Sequence, residues 1–278
     1  MNLITTELDL ARLGAPATKL HDLYVKGDPF PYIVIDNFLP EADANKLLQE
    51  HIAQGDTKNW GAYVHFNERK RGITEIERMG PNTQSVIKAL CSDDFITWLH
   101  ELTGIENLRP DPDLDGGGLH MIEKGGFLNV HVDFLSHTNN VNWSRQLNLL
   151  LYLNKEWDSS WNGSLELWNK DMTNAVQKIE PIFNRCVIFH TCPGSYHGHP
   201  IPLDCPDDVK RRSLALYYFR DEGALQTLTP TNYSPLPGDS LMKRALIIAD
   251  KKALWWFAFA KRYLRLKNGF IQRIMKKF

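Results

Sequence analysis

At 278 residues the chain can hold one large domain with a modest appendage. With 43% hydrophobic and 23% charged residues it has the composition of a globular protein with a sizeable core, which excludes collagenous and low-complexity classes. The formal net charge of −1 conceals a division: residues 242–278 hold eleven Lys/Arg against Asp250 alone, or +10, which leaves residues 1–241 with 21 basic and 32 acidic groups, or −11. No nucleic-acid partner is expected of so acidic a body. The four cysteines, Cys91, Cys186, Cys192 and Cys205, form no CxxC pair, and the chain is too long for a disulfide-stapled mini-domain. The opening MNLITTELDLARLG lacks a basic stretch followed by an apolar one, and the longest apolar run, Ala253 to Ala260, falls far short of the roughly 20 residues a membrane span needs. The expected address is cytoplasmic and reducing, with peripheral membrane attachment as an option.

In chain order, PYIVID reads as a strand, and NFLPEADANKLLQEHIAQ places apolar groups at helical spacing after Pro40 and Glu41. Residues 57–110 read as polar loops around one helix, SVIKALCSDDFITWLHELTG, that ends at Gly104. Beyond the DPDLDGGG loop the texture changes. GLHMIE, FLNVHVDF, QLNLLLYLN, SLELWN, AVQKIEP, RCVIFHT and RSLALYYFR are short, rich in β-branched, Leu and aromatic residues, and separated by turn-forming stretches. About seven such strands predict a sandwich or jelly roll, so the fold class is α+β. The organisation is a support region over 1–110, a β core over 111–225, a linker over 226–240 and a basic amphipathic helical tail over 241–278.

Within the β core, His131-Val132-Asp133 lies in a strand-like segment, and alternate residues of a strand share a face. One imidazole and one carboxylate on that face are two thirds of the facial triad that holds non-haem iron(II). An isolated HxD is common by chance, so the third ligand matters. His190, His197 and His199 compete for it; His190, within VIFHT, is favoured as a structural histidine, and the residues alone leave His197 and His199 open. Arg211 and Ser213 share a strand face while Arg212 points away. An inward arginine is costly unless it meets an anion, and its fork suits a carboxylate. A dicarboxylic co-substrate would supply one. Tyr152, on the same face as Asn148 and Leu150, could add a phenolic hydrogen bond, although by itself it reads as a core tyrosine.

Taken together, HVD, RQLNLLLYLN, the glycine turn before LELW, RCVIFHT, SYHGHP and RxS resemble the prolyl-4-hydroxylase-like branch of the 2-oxoglutarate/iron(II) oxygenases over about residues 30–220. PFPYIVIDNFLPEADANKLLQE is similar to the strand and helix with which that branch opens. The resemblance implies a double-stranded β-helix, a jelly roll, buttressed by helices. It implies iron ligands His131, Asp133 and His197, a carboxylate grip by Arg211 with Ser213 and Tyr152, and Asn148 and Leu150 lining the co-substrate pocket. Departures are the insert PIPLDCPDDVK between His197 and Arg211, Met121 where some prolyl hydroxylases place a co-substrate-binding tyrosine, and Gly163-Ser164 in place of a glycine pair. Asp133 is intact, which argues against the related halogenases.

The activity so implied is hydroxylation of an unactivated C–H bond, using iron(II), 2-oxoglutarate and O2, releasing succinate and CO2, with ascorbate as reductant. The substrate is a small molecule, a conjugated metabolite or a peptide, and His137, Asn139, Asn140 and Trp143, in the loop after Asp133, are its candidate contacts. Two other classes stay in view. A cupin-like metal-binding or sensor protein, or a zinc hydrolase, could use the same two histidines and aspartate, but neither needs Arg211 with Ser213. The tail either folds back on the acidic body or forms a dimer contact, which is the favoured reading, or lies on an anionic membrane surface.

Overall fold

The computed structural model describes residues 17–55 and 59–264. In chain order they form α1 (Ala17–Val25), β1 (Tyr32–Ile35), α2 (Glu41–Ala53), β2 (Gly61–His65), β3 (Glu68–Ile73), α3 (Pro81–Leu90), α4 (Asp93–Thr103), β4 (Leu108–Pro110), β5 (Gly118–Ile122), β6 (Phe127–Val132), β7 (Trp143–Tyr152), β8 (Leu165–Trp168), β9 (Ala175–Ile179), β10 (Cys186–His190), β11 (His197–His199), β12 (Arg211–Asp221), β13 (Asn232–Tyr233) and α5 (Leu241–Leu264). The strands make one curled sheet in the order β1-β10-β7-β12-β5-β3-β6-β11-β8-β9, every pair in it antiparallel. This is an α+β jelly roll, in which β3 bridges the β1-to-β5 layer and the β6-to-β9 layer. The seven segments read as strands are β5 to β10 and β12.

Strand alternation sorts the side chains. Leu147, Leu149 and Leu151 of β7 and Leu214, Leu216 and Tyr218 of β12 pack outward against Leu47, Val86, Leu90, Phe95 and Leu99 from α2, α3 and α4. Asn148, Leu150 and Tyr152, with Arg211, Ser213, Ala215 and Tyr217, are thereby left facing the interior of the roll. The largest core thus lies outside the roll, between sheet and helices, and the inner face is free to carry polar groups.

Four local readings are corrected. The helix expected before Gly104 is two. Ser92 turns extended (φ −71°, ψ 155°), and its Oγ accepts a hydrogen bond from Phe95 N at 3.3 Å, an N-cap followed by Asp93 and Asp94 in the first turn. Gly104 does end α4, in the left-handed region at φ 73°. The stretch 61–73, read as polar loop, is the β2–β3 hairpin; buried Glu68 and half-buried Lys70 pair at 3.0 Å on it, so it carries no apolar alternation to read. SYHGHP, not among the segments read as strands, contains β11: His197 pairs with His131 of β6 and Leu167 of β8. A Cβ on Gly198 would lie 2.8 Å from Leu128 O, so only glycine lets β6 pass this close. The segment 226–240, read as a linker, contributes β13, which pairs Tyr233 with His131.

The tail is helical as far as Leu264; the rest of 241–278 lies outside the described residues. Ile247 is buried, and Asp250 Oδ2 accepts a hydrogen bond from Asn67 Nδ2, which ties one side of α5 to the body. Leu246, Ile248, Trp255 and Trp256 are exposed, with Lys251 and Lys252 beside them. Among the described residues no helix is long and apolar enough to cross a membrane.

Candidate metal and co-substrate site

His131 near the end of β6, Asp133 just beyond it and His197 on β11 converge because β6 and β11 are paired in register at His131 and His197. One ligand atom from each lies within 4.8 Å of the others. His131 Nε2 is 3.3 Å from Asp133 Oδ1, and His197 Nε2 is 3.3 Å from Asp133 Oδ2. Both rings are set from behind: His131 Nδ1 is 2.9 Å from Asn129 O, and His197 Nδ1 is 3.0 Å from Ser195 O. A carbonyl can only accept, so the hydrogen-bond network assigns the proton of a neutral ring to Nδ1 and turns each Nε2 lone pair toward the shared point. Burial, and then the neighbouring His197, lower the His131 pKa and keep the ring in its ligand form. His199, the competing histidine, stands opposite Leu128 after a register shift and is outside this group. His190 pairs with Leu147 and so faces the helices.

Asp133 is held charged by a residue the sequence reading did not single out. Burial would raise its pKa, but the Arg145 guanidinium and the two imidazoles hold the carboxyl well below the usual carboxylate range. Arg145 Nη2 donates to Asp133 Oδ2 at 3.1 Å and Arg145 Nε to Asn148 Oδ1 at 2.8 Å, while Asn148 Nδ2 donates to Asp133 Oδ2 at 2.6 Å. The guanidinium carbon sits 3.4 Å from the centre of the Tyr217 ring. Asn148 therefore serves the metal end of the site rather than simply lining the co-substrate pocket. Alternation pointed the wrong way here: Arg145, seven residues before Tyr152, falls in phase with the outward Leu147, Leu149 and Leu151, and the register shift between β7 and β12 at Tyr218/Phe219 breaks that phase.

At the other end, Arg211 is buried; its Nε donates to Gly163 O at 2.8 Å and its Nη2 to Tyr152 OH at 3.2 Å. Among the described residues no carboxylate lies within ion-pair distance of it, although buried arginines ordinarily have one. Ser213 is cross-strand from Tyr152 and from His120. Leu150 packs against Phe189 and Tyr152 on one side and Tyr217 on the other. Met121 packs toward the helices in the outer core; His120 and Ile122, paired with Ser213 and Arg211, are the inward residues of β5. A buried cationic fork without an acid, beside a tyrosine hydroxyl, fits a carboxylate-bearing co-substrate, and the two His and one Asp fit iron(II).

The four candidate substrate contacts in the loop after Asp133 are largely engaged with the protein itself. His137 is wholly buried; its Nε2 is 3.1 Å from Asp111 Oδ1, and its Nδ1 accepts from the backbone N–H of Asn139 and of Asn140, each at 3.0 Å. It anchors the loop. Asn139 Nδ2 donates to Asp113 Oδ2 at 2.8 Å, Asn140 O accepts from Trp143 N at 2.8 Å, and the Trp143 ring lies against His137 and Phe219. Asp111, Asp113 and His137 also cluster, but both Asp111 oxygens are occupied by backbone N–H groups of Asp113 and Asp115.

The jelly roll, its inward two-His, one-Asp group and its buried arginine agree with a family match: residues 117–219 match the 2OG-Fe(II) oxygenase superfamily, and the chain is similar to prolyl hydroxylases. Among curated proteins it is similar to mouse (Mus musculus) prolyl 3-hydroxylase OGFOD1, 25% identical over 219 residues, covering 75% of this chain and 35% of that protein. The chain thus spans about a third of the length of the curated relatives it matches. Among solved structures, a Trichoplax adhaerens prolyl hydroxylase in complex with a hypoxia-inducible-factor peptide fragment shares the fold at TM-score 0.55 and 21% identity, covering 78% of this chain and 96% of that one. A Pseudomonas putida prolyl-4-hydroxylase does so at 0.52 and 16%, covering 74% and 100%.

Proposed function

We propose that this chain hydroxylates an unactivated C–H bond of a peptidyl substrate, a prolyl residue first among those to be tested, with small or conjugated molecules as the other class. The mouse relative and the Trichoplax structure, named for prolyl hydroxylation and for a peptide complex, support this choice. His131, Asp133 and His197 would hold iron(II), and Arg211, Tyr152 and Ser213 would grip the far carboxylate of 2-oxoglutarate, with Leu150 packed beside it. The iron and co-substrate pair supplies the oxidising power for hydroxylation by O2, the co-substrate leaving as succinate and CO2. The chain's own part is positional. Asn129 O and Ser195 O fix the two imidazoles, Arg145 and Asn148 keep Asp133 ionised and oriented, and the apolar wall of Leu150 and Phe189 excludes water. Ascorbate is proposed as the supporting reductant.

The observation that carries this reading is the buried Arg211 without an acid, across the roll from an ionised Asp133 flanked by two metal-ready histidines. A non-catalytic metal-binding barrel or a zinc hydrolase explains the second feature and leaves the first without purpose. Anaerobic titration of the purified chain with iron(II) and then 2-oxoglutarate should develop a metal-to-ligand charge-transfer band, absent in Asp133→Ala. No band in the wild type refutes the reading. The exposed face of α5, with Ile248, Trp255 and Trp256 beside Lys251 and Lys252, supports contact with an anionic membrane surface from the cytoplasmic side.

A further inference from the structure

His199 has no role in the site as described, yet its setting is unlike that of the other inner histidines. It is buried at 3% exposure, and neither ring nitrogen has a hydrogen-bond partner. His131 and His197, by contrast, each have Nδ1 engaged by a backbone carbonyl. Two unmade hydrogen bonds in one buried ring point to a partner that is not protein, since the described chain leaves both nitrogens vacant while closing around them. A neutral imidazole in this place offers one N–H donor and one acceptor.

The neighbours say what that partner is. His199 stands two residues beyond His197 on β11 and lines one cavity with Gly163, whose carbonyl takes the Arg211 Nε, so the ring lies between the metal end and the arginine end of the site. Lys70 is already paired with Glu68 at 3.0 Å. Arg211 is not paired with any acid, and the carbonyl that takes its Nε belongs to Gly163, which lines the same cavity as His199. A cation without an acid, joined through Gly163 to the wall that carries an unpartnered imidazole, suits an acidic oxygen ligand. β11 is built to present this ring: the tight approach of β6 fixes Gly198, so His197 and His199 flank a residue that cannot move away.

We propose that His199 donates a hydrogen bond to the distal carboxylate of the bound 2-oxo acid, beside Arg211, and thereby contributes to selection of a dicarboxylic co-substrate. The inference rests on the oxygenase reading above. Its test uses the full chain loaded with iron(II) under anaerobic conditions, with the charge-transfer band as readout. Two acids are titrated, 2-oxoglutarate and 2-oxopentanoate, which has the same chain length but a methyl group in place of the distal carboxylate. In His199→Leu the dissociation constant for 2-oxoglutarate should rise about tenfold or more, as expected for loss of one hydrogen bond to a charged group. That for 2-oxopentanoate should stay at the wild-type value, and His199→Gln, which keeps an N–H, should recover part of the loss. Unchanged 2-oxoglutarate binding in both variants overturns the inference. So does an equal loss for the two acids, which would place His199 at the metal end or in the scaffold. If His199→Leu does not fold, His199→Gln alone decides, through the ratio of the two constants. A wild-type protein that takes up iron but gives no band with 2-oxoglutarate removes the oxygenase reading itself, and this inference with it.

Discussion

Replacing Arg145 with methionine should loosen the metal site and the fold together, and the size of each effect follows from what the guanidinium touches. Arg145 is 2% exposed, donates to Asp133 and Asn148, and lies on the Tyr217 ring. Methionine keeps much of the stem's volume but leaves Asp133 as a buried carboxylate facing two imidazoles and one amide. Breaking a buried ion pair from one side costs about 3–5 kcal/mol. At roughly 2–4 °C per kcal/mol for a domain of this size, the metal-free protein should melt on the order of 10 °C lower. Asp133 should then take up a proton more readily, so that iron competes with H+ and its apparent affinity rises with pH more steeply than in the wild type.

The reasoning is tested by a double-mutant cycle on metal-free protein in urea. Asp133→Asn leaves the arginine unpaired instead, and carries a comparable penalty. With both changes the buried charge is gone, so the double variant should be more stable than the sum of the single effects by at least about 1 kcal/mol. Additivity within roughly 0.5 kcal/mol would mean that Arg145 and Asp133 do not depend on each other. The pH dependence has a defined sign. A carboxyl whose folded pKa is depressed adds stability above its unfolded value near 4, and that stability is lost as pH falls below this value toward the folded one. The Arg145→Met protein should therefore show a flatter acid limb than the wild type.

His51, buried against Trp60 with Nε2 3.0 Å from His120 O, has its pKa lowered to about 4 by burial. Its stability contribution is complete above the unfolded value near 6.5 and declines as pH falls toward 4, by roughly 3 kcal/mol. His51→Gln should flatten urea midpoints between pH 7 and 4.5, and an unaltered slope would count against the burial argument. Gly198→Ala places a Cβ 2.8 Å from Leu128 O and 3.0 Å from Asn129 O, which drives β11 from β6 and parts His197 from His131. Iron affinity, followed by equilibrium dialysis, should fall by more than an alanine at the exposed Gly223, with nothing near its Cβ, can cause. For α5, Trp255→Ser with Trp256→Ser should reduce co-sedimentation with phosphatidylglycerol vesicles but not with neutral ones; equal partitioning of both proteins removes the lipid reading in favour of a protein contact.

How much of this was legible in the sequence depends on which physical signal each residue leaves. The seven strands and the His131–Asp133 pair are written in period-two alternation, which survives without any knowledge of the fold. Arg211 was legible for a related reason, since an inward charge on an apolar strand demands a partner. What did not show were elements whose identity is conferred by a distant neighbour. β2–β3 carries a Glu68–Lys70 pair where alternation would call for apolar groups, β11 is three residues long and exists because β6 and β8 flank it, and β13 is two residues within a proline-rich stretch. Arg145 and His199 fall between these cases. Arg145 is out of phase with the inward residues of β7 until a register shift breaks the alternation, and the meaning of both residues depends on pairing: Arg145 is the cation that Asp133 requires, and His199 is the ring that nothing in the described chain satisfies. Local pattern identifies residues that obey a rule of their own segment. The chemistry of this site depends as much on residues that violate one, an arginine without an acid and an imidazole without a partner, and such violations become visible only once the surrounding strands are placed.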